Sequence, residues 1–131
     1  MVRRCVSFAA AAGVLFLCSC GAGDAAAAQT ASAFGAAIGA GDLPQACELL
    51  APATRATLEF QQSQPCPGAL QGDDLPAGPV AQVEVWGGEA RARAGSDTWF
   101  LTRTARGWRI AAAGCVSQGD NVPYLCKVSG P

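Results

Sequence analysis

Apolar and polar positions alternate between Ala81 and Cys115, in AQVEVWGGEARARAGSDTWFLTRTARGWRIAAAGC. A period of two places every second side chain on one face of a strand, and glycine supplies the positive φ that tight hairpins need. The stretch therefore predicts four short antiparallel strands turning at Gly87-Gly88, Gly95-Ser96 and Arg106-Gly107. A two-residue first turn sets Val85 opposite Ala90, Glu84 opposite Arg91 and Val83 opposite Ala92. The second sets Ala92 opposite Trp99 and Arg91 opposite Phe100. One face then carries Ala81, Val83, Val85, Ala90, Ala92, Ala94, Trp99, Leu101, Trp108, Ile110 and Ala112, and small alanines leave room for two tryptophans. The other carries Gln82, Glu84, Glu89, Arg91, Arg93, Thr98, Thr102 and Arg109, so one face packs on a core and one is largely wet.

Upstream the spacing becomes helical. Phe34, Ala37, Ile38 and Gly41 form a stripe behind a cap at Thr30 or Ser32, and Gly39-Ala40-Gly41 ends that helix. Asp42, with Pro44 in the first turn and Gln45 three residues on, starts a second helix with Leu43, Ala46, Cys47 and Leu50 inward. Pro52 breaks or restarts it, and Ala53, Ala56, Thr57 and Phe60 offer a further apolar face. Residues 65–79 read as a loop anchored by Leu70 and Leu75.

The first nineteen residues have the composition of an export signal. Arg3 and Arg4 form a positive start, and Val6 to Leu17 an apolar run shorter than the roughly 20 residues a spanning helix needs. Leu17-Cys18-Ser19-Cys20 resembles the lipobox of bacterial lipoproteins, in which the final cysteine is lipidated and becomes N-terminal. Leu17, Ser19 and Cys20 match it, whereas Cys18 stands where Ala, Ser, Thr or Val is more usual. The resemblance implies a palmitate-type anchor at Cys20, stable because several acyl chains are attached. An ordinary secretory signal cut near Ala22 to Ala28 is the alternative, and the arginine pair also fits twin-arginine export. Residues 20–29, CGAGDAAAAQ, read as a flexible tether, whose four alanines could equally extend the first helix, and residues 30–131 as one small domain.

Of seven cysteines, Cys5 and Cys18 leave with the signal and Cys20 carries the lipid. Four remain, and an even number in an exported chain indicates two disulfides. Of three connectivities, Cys47 with Cys66 and Cys115 with Cys126 is favoured because each pair is local. A zinc site would want closely spaced cysteine pairs, and no C-x-x-C follows Cys20. The tail after Cys115, VSQGDNVPYLCKVSGP, turns near Gly119 and Pro123, with Val122, Tyr124, Leu125 and Val128 able to pack. Strand parity places Cys115 with Ala111 and Ala113 on the wet face, so the second bridge is expected to lay the tail, with Tyr124, over that face near Phe100.

Helices followed by an antiparallel meander make an α+β domain. The opening AFGAAIGAGDLPQACELL, Ala33 to Leu50, and the closing DTWFLTRTARGWRIAAAGC, Asp97 to Cys115, resemble nuclear transport factor 2-like domains. That resemblance implies helices packed on a curved four-stranded meander forming a cone, with acid-base residues inside it in the enzymes and dimers through the open sheet face. The chain has no histidine, and Glu84, Glu89 and Asp97 are the only carboxylates within reach of such a role, more simply strand ends and a cross-strand ion pair. Trp86, Arg91, Arg93 and Arg103 are the candidate contact residues. No cofactor or metal is called for. Without Arg3 and Arg4 the chain keeps seven basic against ten acidic residues and no basic block, which argues against nucleic acid. The sequence thus indicates a lipid-anchored, extracytoplasmic binding module for a small ligand or an envelope protein. A carboxylate-dependent hydrolase or isomerase, or a structural envelope component, is the alternative.

Overall fold

The computed structural model describes residues 22–131, so the signal region and Cys20 lie outside the described residues. Four helices, α1 (Ala22–Ala40), α2 (Leu43–Glu48), α3 (Pro52–Gln62) and α4 (Cys66–Asp73), precede five strands. These are β1 (Val80–Trp86), β2 (Glu89–Ala94), β3 (Asp97–Thr104), β4 (Gly107–Val116) and β5 (Leu125–Ser129), paired antiparallel in chain order as one open sheet. The domain is α+β with five strands, which corrects the expected four-stranded meander: the tail adds a strand by pairing Ala113 with Val128 and Cys115 with Cys126.

Of the expected tether at residues 20–29, residues 20 and 21 lie outside the described residues, and the rest follows the alternative in which the alanines extend the first helix. The chain is helical from Ala22, and Ala27 and Ala31 are fully buried beside Phe34 and Ala37. Alanine has the highest helix propensity and carries no period of its own, so GAGDAAAAQ gave no sign of which side packs. Thr30 is accordingly not a cap; its hydroxyl donates to the Trp108 carbonyl at 3.2 Å, pinning α1 to β4. Gly35 lets the helix approach closely, since a Cβ there would sit 3.4 Å from both Trp99 and Val80. Phe34 meets Trp99 edge-on, with centroids 5.0 Å apart, an arrangement that adds about 0.5–1.5 kcal/mol to area burial. Buried Ala90, Ala92 and Ala94 give the tryptophan its space.

Asp42 caps α2, its carboxylate accepting from the Gln45 N–H at 3.3 Å, and Pro52 opens α3. The face of α3 differs from the expected one. Thr54 and Leu58 are buried, while Ala53, Ala56 and Phe60 are exposed, Phe60 at 86 %. Thr54 explains the rotation: its hydroxyl donates to the Ala111 carbonyl at 2.9 Å, so a polar residue is the anchor. Just before α3, the Ala51 N–H donates to Ile110 O and the Ile110 N–H donates to Leu49 O, both at 2.8 Å. That short parallel bridge covers the stretch of β4 that β5 does not reach, removing an open edge. Within the segment expected to be a loop, Cys66 to Asp73 forms α4, with proline in its first turn; Leu70 and Leu75 are buried as anticipated.

Register at the turns follows the sequence, with Glu84 opposite Arg91, Val85 opposite Ala90, Ala92 opposite Trp99 and Arg91 opposite Phe100. Bulges change it elsewhere. An extra residue between Ala81 and Glu84, where Gln82 has φ 52°, removes the expected pairing of Val83 with Ala92. Val80, not Ala81, therefore packs against the core. Two further register shifts between β3 and β4 bring Ala113 rather than Ala112 into the core and leave Ala112 opposite Phe100. A bulge moves every following side chain to the opposite face.

Candidate functional site

Both disulfides join the expected partners. Cys47 in α2 bonds Cys66 at the start of α4, and Cys115 bonds the directly opposite Cys126. The first holds two short helices together, where neither has the length to be stable alone. The second closes β4 onto β5 and presents Tyr124, which stands edge-on to Phe100 with centroids 5.1 Å apart. Tyr124 covers part of the wet face as expected, whereas Val128 opposite Ala113 is buried in the core on the helix side, and Val122 and Leu125 are exposed.

That outer face brings together three of the four candidate contact residues. Trp86 is 55 % exposed, and the Arg91 guanidinium lies 5.3 Å from its ring centroid. Arg91 is held there by Glu84, with Nη2 to Oε2 2.9 Å. Cross-strand pairing sets Arg93 between Ala81 and Thr98. A depression of about 150 Å³ lies between Gln82, Glu84, Arg91, Arg93, Thr98 and Tyr124. Arg103 is not part of it. It pairs with Trp108 and stacks on that ring at 4.9 Å, with its N–H donating to Gly88 O. Trp99 and Trp108 are buried, leaving Trp86 as the exposed tryptophan, as its parity indicated.

Tyr124, Thr98 and Gln82 were not singled out as contact residues. The cysteine pairing carried the signal for Tyr124, because closing the second bridge draws it across. Gln82 reaches the depression through the bulge, which has no sequence signature beyond the break it makes in alternation.

A second groove, of about 370 Å³, lies where α3 meets the end of the sheet, between Glu48, Arg55, Thr104, Arg106 and Arg109. Arg55 is paired there with Glu48 at 3.0 Å and Glu59 at 3.6 Å. Among the described residues Arg106 has no carboxylate partner, and Arg109 Nη1 donates to the Trp108 carbonyl at 2.8 Å.

The carboxylates do not converge. Glu84 is taken by Arg91, Glu89 accepts from the Thr102 hydroxyl at 2.9 Å, and Asp97 sits opposite Ala94 at the β2–β3 turn. The space between helices and sheet is filled by Phe34, Trp99, Leu101 and Ile110. Elsewhere, burial pushes the Asp73 carboxyl above its ordinary range, against the lowering effect of the Gln62 amide at 2.9 Å and the Lys127 charge. Among the described residues no group of three or more His, Cys, Asp and Glu is placed to hold a metal, and no helix is long and apolar enough to cross a membrane. No protein-family model matches the chain, and no curated protein or solved structure is significantly similar to it.

Proposed function

We propose that this chain is an exported lipoprotein, anchored through Cys20 and facing outside the cytoplasm, whose α+β domain is a noncatalytic binding module for an envelope protein. The observation that carries the reading is the outer sheet face, where Arg91, Arg93 and Tyr124 line one small depression and Trp86 stands beside it against Arg91. Tryptophan, tyrosine and arginine are the residues that most often dominate protein interfaces. The depression is about 150 Å³, well below the roughly 300–1,000 Å³ of small-molecule sites, which favours a protein surface over a small ligand.

The LCSC tetrapeptide and the two disulfides support the export half of the reading, since cysteine pairs persist in oxidising compartments. The nuclear transport factor 2-like cone is proposed on the same footing: its support is the opening helix pair, the closing hairpin and the bulges that bend the strands. A homodimer through the outer face is the self-association form of the same proposal.

The test is a photoreactive side chain placed at Arg93 of the full chain in intact cells. The reading expects one discrete adduct, a partner or a second copy, lost when Arg91 is changed to Glu. Adducts no more frequent than those from a probe at exposed Ala56 on α3 would overturn it.

A further inference from the structure

An anchor at Cys20 would leave little chain between the lipid and the domain. Helix α1 begins at Ala22, two residues after Cys20, and two residues of extended chain span at most about 7 Å. A lipid on Cys20 would therefore hold the first turn of α1 close to the bilayer, and α1 is packed on the domain from Ala26 onward. Gly39 lies by Ala77, Gly35 by Val80 and Trp99, and Thr30 by Trp108. Running from its C-terminus to its start, α1 thus points toward the end of the sheet that carries the β1–β2 and β3–β4 turns. From Thr30 to Ala22 it advances about 12 Å at 1.5 Å per residue, enough to reach the tips of those turns.

That end has the chemistry of a membrane contact. Trp86 precedes the Gly87-Gly88 turn and is half exposed; Gly88 is hydrogen-bonded to Arg103, and Arg106 stands exposed in the neighbouring turn. Tryptophan is favoured at the headgroup level of bilayers, and arginines near the surface are attracted by anionic lipid. Asp24 in the first turn of α1, Glu89 after the β1–β2 turn and Glu48, which lines the groove beside Arg106 and is paired with Arg55, are acidic residues at this end. The Arg103 guanidinium lies over the Trp108 ring while its backbone N–H donates to Gly88 O in the adjoining turn, so the two turns are joined at one tip.

We propose that this tip, with Trp86, Arg103 and Arg106, rests on the phosphate-bearing headgroups of an anionic bilayer. It sets the domain's orientation when Cys20 is lipidated. The inference rests on the anchor at Cys20 and adds a defined contact that the anchor alone does not require. The outer sheet face would then stand beside the membrane, with Tyr124 and Arg93 further from it than Trp86.

The experiment uses the full chain, extracted from membranes and reconstituted into vesicles of phosphatidylglycerol and phosphatidylcholine, with a quencher on the lipid headgroup. Intact mass is measured on the same sample. Trp99 and Trp108 are buried, so headgroup quenching reports mainly Trp86 and is checked with W86F. The proposal expects a lipid mass at Cys20 and strong quenching. Quenching should fall in vesicles of phosphatidylcholine alone and at 1 M salt, where screening shortens to about 3 Å. In R106E the contact should weaken by at least roughly fivefold, the worth of one surface charge. R106E alters an exposed side chain, whereas R103E would also uncover Trp108. A lipid mass with W86F-level quenching overturns the orientation and leaves the anchor standing. A mass without lipid overturns both.

Discussion

The ring of Tyr124 meets Phe100 edge-on, at 5.1 Å and 79°, across the face of the sheet turned away from the helices. The contact lies two residues from Cys126, whose bond to Cys115 closes β5 onto β4. The tail is therefore held by one covalent link and one aromatic pair. Removing the link in C115S/C126S should cost about 3 kcal/mol, from the entropy of an 11-residue separation. Helix α1 and the Trp99 core do not depend on it. Urea unfolding should show a lower midpoint with one cooperative transition, and an unchanged midpoint would contradict this role for the bridge.

Gly114 should tolerate no side chain. Its φ is 64°, and a Cβ would lie 3.0 Å from both Leu75 and Lys127. The left-handed conformation alone costs a non-glycine residue about 1–2 kcal/mol, and the two contacts add to it. Gly114→Ala is expected to lower stability by at least that amount, read by urea melts. Gly87→Ala, with φ 56° and nothing within 4 Å, should show the backbone cost alone.

The Thr54 hydroxyl binds the Ala111 carbonyl at the β4 bulge while the residue is almost fully buried. Thr54→Val keeps the shape and leaves that carbonyl with the Gly130 N–H as its remaining donor, at 3.2 Å. A loss of about 1 kcal/mol is expected. A variant as stable as the parent would show that hydrophobic contact, not the hydrogen bond, sets the rotation of α3.

Asp73 gives a pH signature. Burial raises its carboxyl above the ordinary range, so the folded state holds the proton more tightly than the unfolded chain does. Its contribution is then most favourable in acid, below the unfolded value, and is lost as pH rises through the raised folded value. Asp73→Asn should be more stable than the parent at pH 7, and the difference should shrink as the pH falls below the ordinary carboxylate range. Paired urea titrations across that interval measure it; a difference independent of pH would contradict the assignment.

The hairpins were legible because glycine turns and alternating side chains specify register locally, as Glu84 with Arg91 and Ala92 with Trp99 illustrate. The cysteines were legible for the same reason, since both bridges are local. What escaped was set by distant partners. Ala26, Ala27 and Ala31 became the packed side of a helix because β4 and its neighbours offer a surface, and alanine advertises no face of its own. Thr54 turned inward to reach a carbonyl 57 positions away. Bulges at Gln82 and Ala111 moved Ala81 and Ala112 off the core, an effect that alternation alone cannot reveal. The outer-face cluster was half visible: Trp86, Arg91 and Arg93 follow from parity, while Tyr124 joins through the fold.

The account turns on Cys20 and on the four cysteines of the domain. Intact mass spectrometry of the membrane-extracted protein, before and after reduction and alkylation, tests them together. The prediction is a chain beginning at Cys20 with a diacyl or triacyl addition, in which four thiols become alkylated only after reduction. A lipid-free chain beginning beyond Cys20, or thiols that react without reduction, would contradict it.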